Sequence, residues 1–205
     1  MAEMAGMDNI RSLDLDHEQA LWERFFTVAP LVVVGTRDDD GGDDLAPKHL
    51  AMPLSWQRLF GFVCSSSHRT YQNIARVGEF AVTFPRPSGV VLASLAATPR
   101  ENDGSKPVTG ALATFPAERV QGAFLQDGYV FLECVLERII DDLDDNALII
   151  GRVVGAHVAQ EALRGADVDD QDLIRNAPLL AFLYPGRFAE LGETLAMPLP
   201  AGFKR

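Results

Sequence analysis

The sequence predicts a mainly β protein, an antiparallel β-barrel with flanking helices. Three observations carry that prediction. Short runs rich in Val, Ile, Leu and Phe recur along the chain, among them "LVVVGTR", "RLFGFVCS", "EFAVTFP", "YVFLECVLERII" and "ALIIGRVVGAHVA". Polar turns such as "DDDGGDDL" and "DDLDDN" separate several of them. Helical periodicity is confined to a few short stretches. With 205 residues, 47% of them hydrophobic, the chain can bury one sizeable core. The expected organisation is a flexible N-terminal segment over residues 1–20 and a single domain over 21–205.

In chain order, "HEQALWERFFTVA" sets Leu21, Trp22, Phe25 and Phe26 on one face of an expected helix. Pro30 marks its end, and "LVVVGTR" has the β-branched content and short length of a buried strand. "DDDGGDDL" reads as a hairpin tip whose carboxylates repel one another and stay in water. "LAPKHLAMPLS", interrupted twice by proline, leads to the strand "RLFGFVCS". In "RTYQNIARVG", Tyr71, Ile74, Ala75 and Val77 fall at mostly helical spacing, and Gly78 suits a left-handed C-cap. "EFAVTFP" returns to strand. Residues 86–123 alternate a short apolar helix candidate with turn-rich polar stretches. Two strands follow, the first alternating Val130, Leu132, Cys134 and Leu136 with partners that are in part more polar. The tail holds the apolar run "PLLAFLYP", a Pro-Gly turn and a Pro-rich extension.

Composition narrows the function. Eighteen Lys and Arg against 29 Asp and Glu leave a formal charge of -11, which argues against a nucleic-acid-binding surface. An anionic ligand therefore needs a local basic or helix-terminal pocket. The N-terminus lacks a basic region followed by an apolar run, so the cytoplasm is the expected compartment. Apolar runs fall well short of the roughly 20 residues a bilayer requires, and no membrane association is expected. Cys64 and Cys134 are too few for a zinc site or a disulfide framework. The acidic runs lack EF-hand order, since the twelfth position counted from Asp38 is His49, and no metal is expected. Neither GxSxG, GxGxxG nor GxxxxGK[ST] occurs.

One stretch offers a different device. A strand ending at Cys64 runs through Ser65, Ser66, Ser67 and His68 into a helix beginning near Arg69 and Thr70. The unpaired N–H groups of a helix start, hydroxyls and an arginine fork together suit a phosphate. The alternative for the same stretch is an N-capping Ser67 among ordinary loop residues. Lys48 and His49 in "APKHLAMPLS" form a second candidate, and Arg187 after the Pro-Gly turn a third. Each has an exposed polar loop or turn as its alternative.

In that order, "PLVVVGTRDDDGGDDLAPKHLAMPLS", "FGFVCSSSHRTYQNIARVGEFAVTFP", "VFLECVLERII" and "ALIIGRVVGAHV" resemble the flavin reductase-like family over residues 28–190. The resemblance implies an FMN-binding split β-barrel. Lys48, His49, Leu50, Ala51 and Met52 would then lie along the flavin ring. Ser65, Ser67, His68, Arg69 and Thr70 would hold the ribityl phosphate end, and Cys64 counts among the cofactor-binding residues. Family relatives often carry a serine and aromatics where this chain has Lys48, His49 and Leu50. The resemblance further implies an NAD(P)H:flavin oxidoreductase with FMN, or FAD, as cofactor and NADH or NADPH as hydride donor. Reduced flavin would pass electrons to oxygen, to a partner monooxygenase or to another acceptor. Homodimers with flavin near the interface are implied as well. His49 and His157 are the candidate catalytic side chains, with a barrel-surface histidine as the alternative for His157. An oxidase of the pyridoxamine-phosphate type and a non-catalytic electron carrier are the competing readings.

Overall fold

The computed structural model describes residues 10–200 and 202. A single 3-10 turn, Leu21–Glu23, precedes strand β1 (Thr27–Pro30). β2 (Val32–Arg37) and β3 (Asp43–Lys48) form a hairpin, followed by β4 (Ala51–Pro53) and β5 (Leu59–Ser65). Helix α1 (Arg69–Val77) leads to β6 (Glu79–Pro85), and α2 (Val90–Leu95) comes next. The short pair β7 (Thr114–Pro116) and β8 (Ala123–Leu125) precedes the long strands β9 (Gly128–Leu143) and β10 (Asn146–Val158). Helix α3 (Asp170–Asn176), β11 (Leu179–Tyr184) and β12 (Arg187–Leu191) close the order.

The main sheet has seven strands in the order β3-β2-β6-β9-β10-β5-β4. Its two edge strands, β3 and β4, are joined by His49 and Leu50 alone. Each residue advances a trans chain by at most about 3.8 Å, so the two edges meet within about 11 Å. A sheet this wide satisfies that only by curling on itself, and the result is a barrel split along the β3/β4 seam. β1, β11 and β12 make a second, three-stranded sheet.

The burial pattern explains the unbroken "VVV" of β2. Val32 and Val34 join the barrel interior with Phe60, Phe62, Ile74, Phe80, Val82, Cys134 and Ile149. Val33 faces the other way, into a cluster with Leu45, Ala93, Ala96, Leu112 and Leu125. A strand covered on both faces has no polar side to alternate with. Phe62 and Phe80 meet edge to face inside the barrel at 5.5 Å between centroids. α1 stops at Gly78, whose φ of 76° is the left-handed value expected for that position and whose N–H bonds Ile74 O at 2.8 Å. Close approach requires a second glycine: a Cβ on Gly35 would lie 1.9 Å from the Ala123 carbonyl oxygen, where β8 crosses β2.

Two expectations are corrected, and one polar strand residue is buried. The helix expected over "HEQALWERFFTVA" is a single 3-10 turn followed by β1, because Thr27–Pro30 pair with Ala181–Tyr184 of β11. Trp22 and Phe26 consequently remain 59% and 65% exposed. The hairpin tip is only partly solvated, since Asp38 and Asp44 are buried against cations from the segment after α2. On β9, Glu133 is fully buried although it is a polar residue of the alternating pattern. The flexible segment expected over residues 1–20 lies outside the described residues up to position 9, and residues 10–20 are exposed.

Candidate functional site

Where β3 ends and α1 begins, a cavity of about 390 Å³ opens. β3 contributes Asp44, Ala46, Pro47 and Lys48 to its wall, and the turn into α1 contributes Ser67, His68, Arg69 and Thr70. The third wall is the segment Ala96–Arg100 with Lys106. Four full cations therefore face one carboxylate, in a chain whose net charge is strongly negative.

The turn is tight. Ser67 N–H and the Ser67 hydroxyl both meet Ser65 Oγ, at 3.3 and 2.9 Å, and His68 N–H donates to Ser65 O at 3.1 Å. His68 takes the N-cap position without a side-chain capping bond, correcting the Ser67 alternative. The positive end of the helix and its first-turn N–H groups thus reach the cavity without a side-chain acceptor in front of them. Burial, followed by the nearby charge of Lys48, pushes the His68 imidazole below its ordinary pKa. A neutral ring has one N–H to donate.

The four cations are not equivalent. Lys106 Nζ donates to Leu45 O and Ala96 O, each at 2.7 Å, and lies 3.4 Å from Asp44 Oδ1. Arg100 Nη2 donates to Asp38 Oδ2 at 2.5 Å and Asp44 Oδ1 at 2.9 Å, while Nη1 donates to Gly104 O. These two side chains are spent on the protein. Arg69 sits looser, with Nε 3.6 Å from Asp38 Oδ1 and Nη1 3.8 Å from Asp39 Oδ2. Lys48 enters none of the ion pairs among the described residues. Asp38 is also held by Asn73 Nδ2 at 2.9 Å, which ties the hairpin tip to α1. This donor set fits a phosphate monoester: helix N–H groups, Thr70, Arg69 and Lys48, with the nearest carboxylate already neutralised.

Other residues singled out in the sequence fall elsewhere. His49 packs on Phe182 and Tyr184 of β11, at 4.8 and 5.3 Å between ring centroids, and does not line the cavity. Burial and then Lys48 lower its pKa. Ala51 and Cys64 are packed in the barrel core and do not line the cavity. Burial pushes the Cys64 thiol up, opposed by Lys48. Leu50 and Met52 are more than half exposed. Ser65 lines a separate hollow beside Asp141, Asp142, Asp144 and Asp145, an unfavourable place for an anion. His157 bonds Glu133 through Nε2 at 2.9 Å. It lies near the end of β10 opposite Asn146, the partner of Ser65, on the order of 35 Å along the strand, which removes it from this cavity. Arg187 opens β12 and is exposed.

Sequence reasoning missed Asp38, Asp44, Arg100 and Lys106. The available signal was complementarity between the acidic "DDDGGDD" and the basic positions of "TPRENDGSKP", two segments whose pairing no local periodicity specifies.

Comparison with known proteins agrees with this architecture. The family model described as "Flavin reductase like domain" matches residues 25–190. Flavoredoxin of Desulfovibrio vulgaris (Miyazaki F) superposes with a TM-score of 0.73 at 22% identity, covering 91% of this chain and all of that one. Nitrilotriacetate monooxygenase component B from Bacillus cereus gives 0.70 at 23% identity over 83% and 88% of the two chains. The 2-nitrobenzoate 2-nitroreductase NbaA of Pseudomonas fluorescens gives 0.71 at 16% identity over 86% and 87%.

Proposed function

Because the chain belongs to the flavin reductase-like domain family, we propose that it is an FMN-dependent oxidoreductase that binds the flavin phosphate in the cavity between β3 and α1. The observation that carries this reading is the uncapped start of α1, with Arg69 and Thr70 in its first turn, opening onto a cation-rich cavity.

When bound, the flavin would supply the redox chemistry, with NADH or NADPH as the hydride donor and oxygen, a partner monooxygenase or another molecule as the acceptor. The chain's task is to bind and orient it. First-turn N–H groups and the Thr70 hydroxyl donate to phosphate oxygens, Arg69 adds a charged fork, and neutral His68 adds a further donor. Leu50 and Met52, both exposed and close to Lys48 in sequence, offer apolar surface to the ring. FMN is favoured over FAD because Arg100 and Lys106, the cations of the third wall, are already engaged by Asp38, Asp44 and carbonyl groups. Exposed Trp22, Phe26, Val28 and Trp56 support a homodimer, which light scattering of the purified protein tests and a monomeric mass would exclude. No helix among the described residues is long and apolar enough to cross a membrane, and the cytoplasm is the proposed compartment.

The test is a titration of the wild type and the Arg69→Ala/Thr70→Ala variant with FMN and with riboflavin, which lacks the phosphate. FMN affinity is expected to fall about tenfold to a hundredfold, the range for lost charge-assisted hydrogen bonds, with riboflavin nearly unaffected. Equal losses for both ligands would remove the phosphate from this cavity.

A further inference from the structure

Lys48 follows Pro47 as the last residue of β3, at a position where the family resemblance aligns it with the flavin ring. The cavity supports a different role. Lys48 shares a wall with Ser67, His68, Arg69 and Thr70, the residues that surround the start of α1. Both neighbouring histidines, His49 and His68, feel its charge.

The distribution of carboxylates separates it from the other three cations. Asp38 and Asp44 take Arg100, Asp44 takes Lys106, and Asp38 with Asp39 stands near Arg69. Lys48, the fourth, has no carboxylate within ion-pairing distance among the described residues. A partly buried ammonium beside a helix's positive end is costly unless an anion comes to it.

We propose that Lys48 is a phosphate-binding residue of this chain, completing with Arg69 and the α1 N-terminus a site for a phosphate monoester, and that it does not serve as a ring contact. The assignment rests on the flavin reading above and deepens it. It makes Lys48 a determinant of selectivity for phosphorylated over unphosphorylated flavin. The geometry suits the role: an ammonium on a flexible stem reaches from the strand side toward phosphate oxygens that helix N–H groups hold from the other side.

Equilibrium binding of FMN and of riboflavin to the wild type, Lys48→Gln and Lys48→Arg decides the matter. Lys48→Gln is expected to lose about tenfold or more in FMN affinity, the effect of one charge-assisted hydrogen bond, and to bind riboflavin within about twofold of wild type. Lys48→Arg should recover most of the FMN loss, since it restores the charge. Equal losses for the two flavins, or unchanged FMN binding, would overturn the assignment while leaving the functional reading in place. A wild-type chain that binds neither flavin would overturn both.

Discussion

Replacing Arg100 with Met puts the buried carboxylates of the hairpin tip to a quantitative test. Asp38 and Asp44 are 6% and 3% exposed, and both receive a hydrogen bond from Arg100 Nη2. Removing one partner of a buried ion pair costs about 3–5 kcal/mol, because a charge is left without compensation. Two residual contacts reduce that cost: Asn73 Nδ2 on Asp38 at 2.9 Å, and Lys106 Nζ on Asp44 at 3.4 Å. The expected loss is therefore at the low end, about 3 kcal/mol. For a chain of this size it corresponds to a fall of about 6–12 °C in Tm. Urea and thermal unfolding at neutral pH read it directly. Adding Asp38→Asn to Arg100→Met should recover part of the loss, since the neutral amide removes one uncompensated charge while Asp44 keeps its contact with Lys106. A loss under about 0.5 kcal/mol would be that of an ordinary surface substitution. It would mean that these carboxylates are solvated, as a run of like charges by itself suggests, and would refute the reasoning.

Two other outcomes follow from the packing. Gly35→Ala is expected to cost more than about 3 kcal/mol, because the added methyl meets the Ala123 backbone oxygen at 1.9 Å and neither strand has a flexible side chain to move; a circular-dichroism melt within a few degrees of wild type, about 4 °C or less, would contradict the crossing of β8 over β2. Burial pushes the Glu133 carboxyl up, but His157 and the Arg119 N–H outweigh it and hold it below its ordinary value. A depressed carboxylate contributes stability that is fully present above the unfolded pKa, about 4.3, and is lost as pH falls through the lower folded value. The stability gap between wild type and Glu133→Gln, from urea midpoints across a pH series, should narrow below about pH 4.3, and a gap independent of pH would count against the pairing.

Much of the barrel was legible in the sequence. "LVVVGTR", "RLFGFVCS" and "EFAVTFP" are strands because their composition suits a pleated, buried surface and because Gly and Pro punctuate them. α1 and its Gly78 cap were equally readable, since spacing and capping act within a few residues. The segment "HEQALWERFFTVA" was misread for the converse reason. Its apolar spacing favours a helix locally, and the backbone pairing of β1 with β11, some 150 residues away in sequence, overrides that preference.

For the candidate site, the sequence by itself determined the turn into α1 and the residue types that suit an anion there, because a helix start and its hydroxyls are local features. Tertiary structure alone decided what those residues face. The two-residue link between the edges of the curled sheet sets Lys48 on the cavity wall and turns His49 onto Phe182 and Tyr184. The segment after α2 brings Arg100 and Lys106 onto the acidic hairpin, which spends two cations, whereas Lys48 pairs with no carboxylate among the described residues. Which charge neutralises which is a matter of distances across the fold, and Coulomb energies depend on separation and burial, neither of which is written in the order of residues.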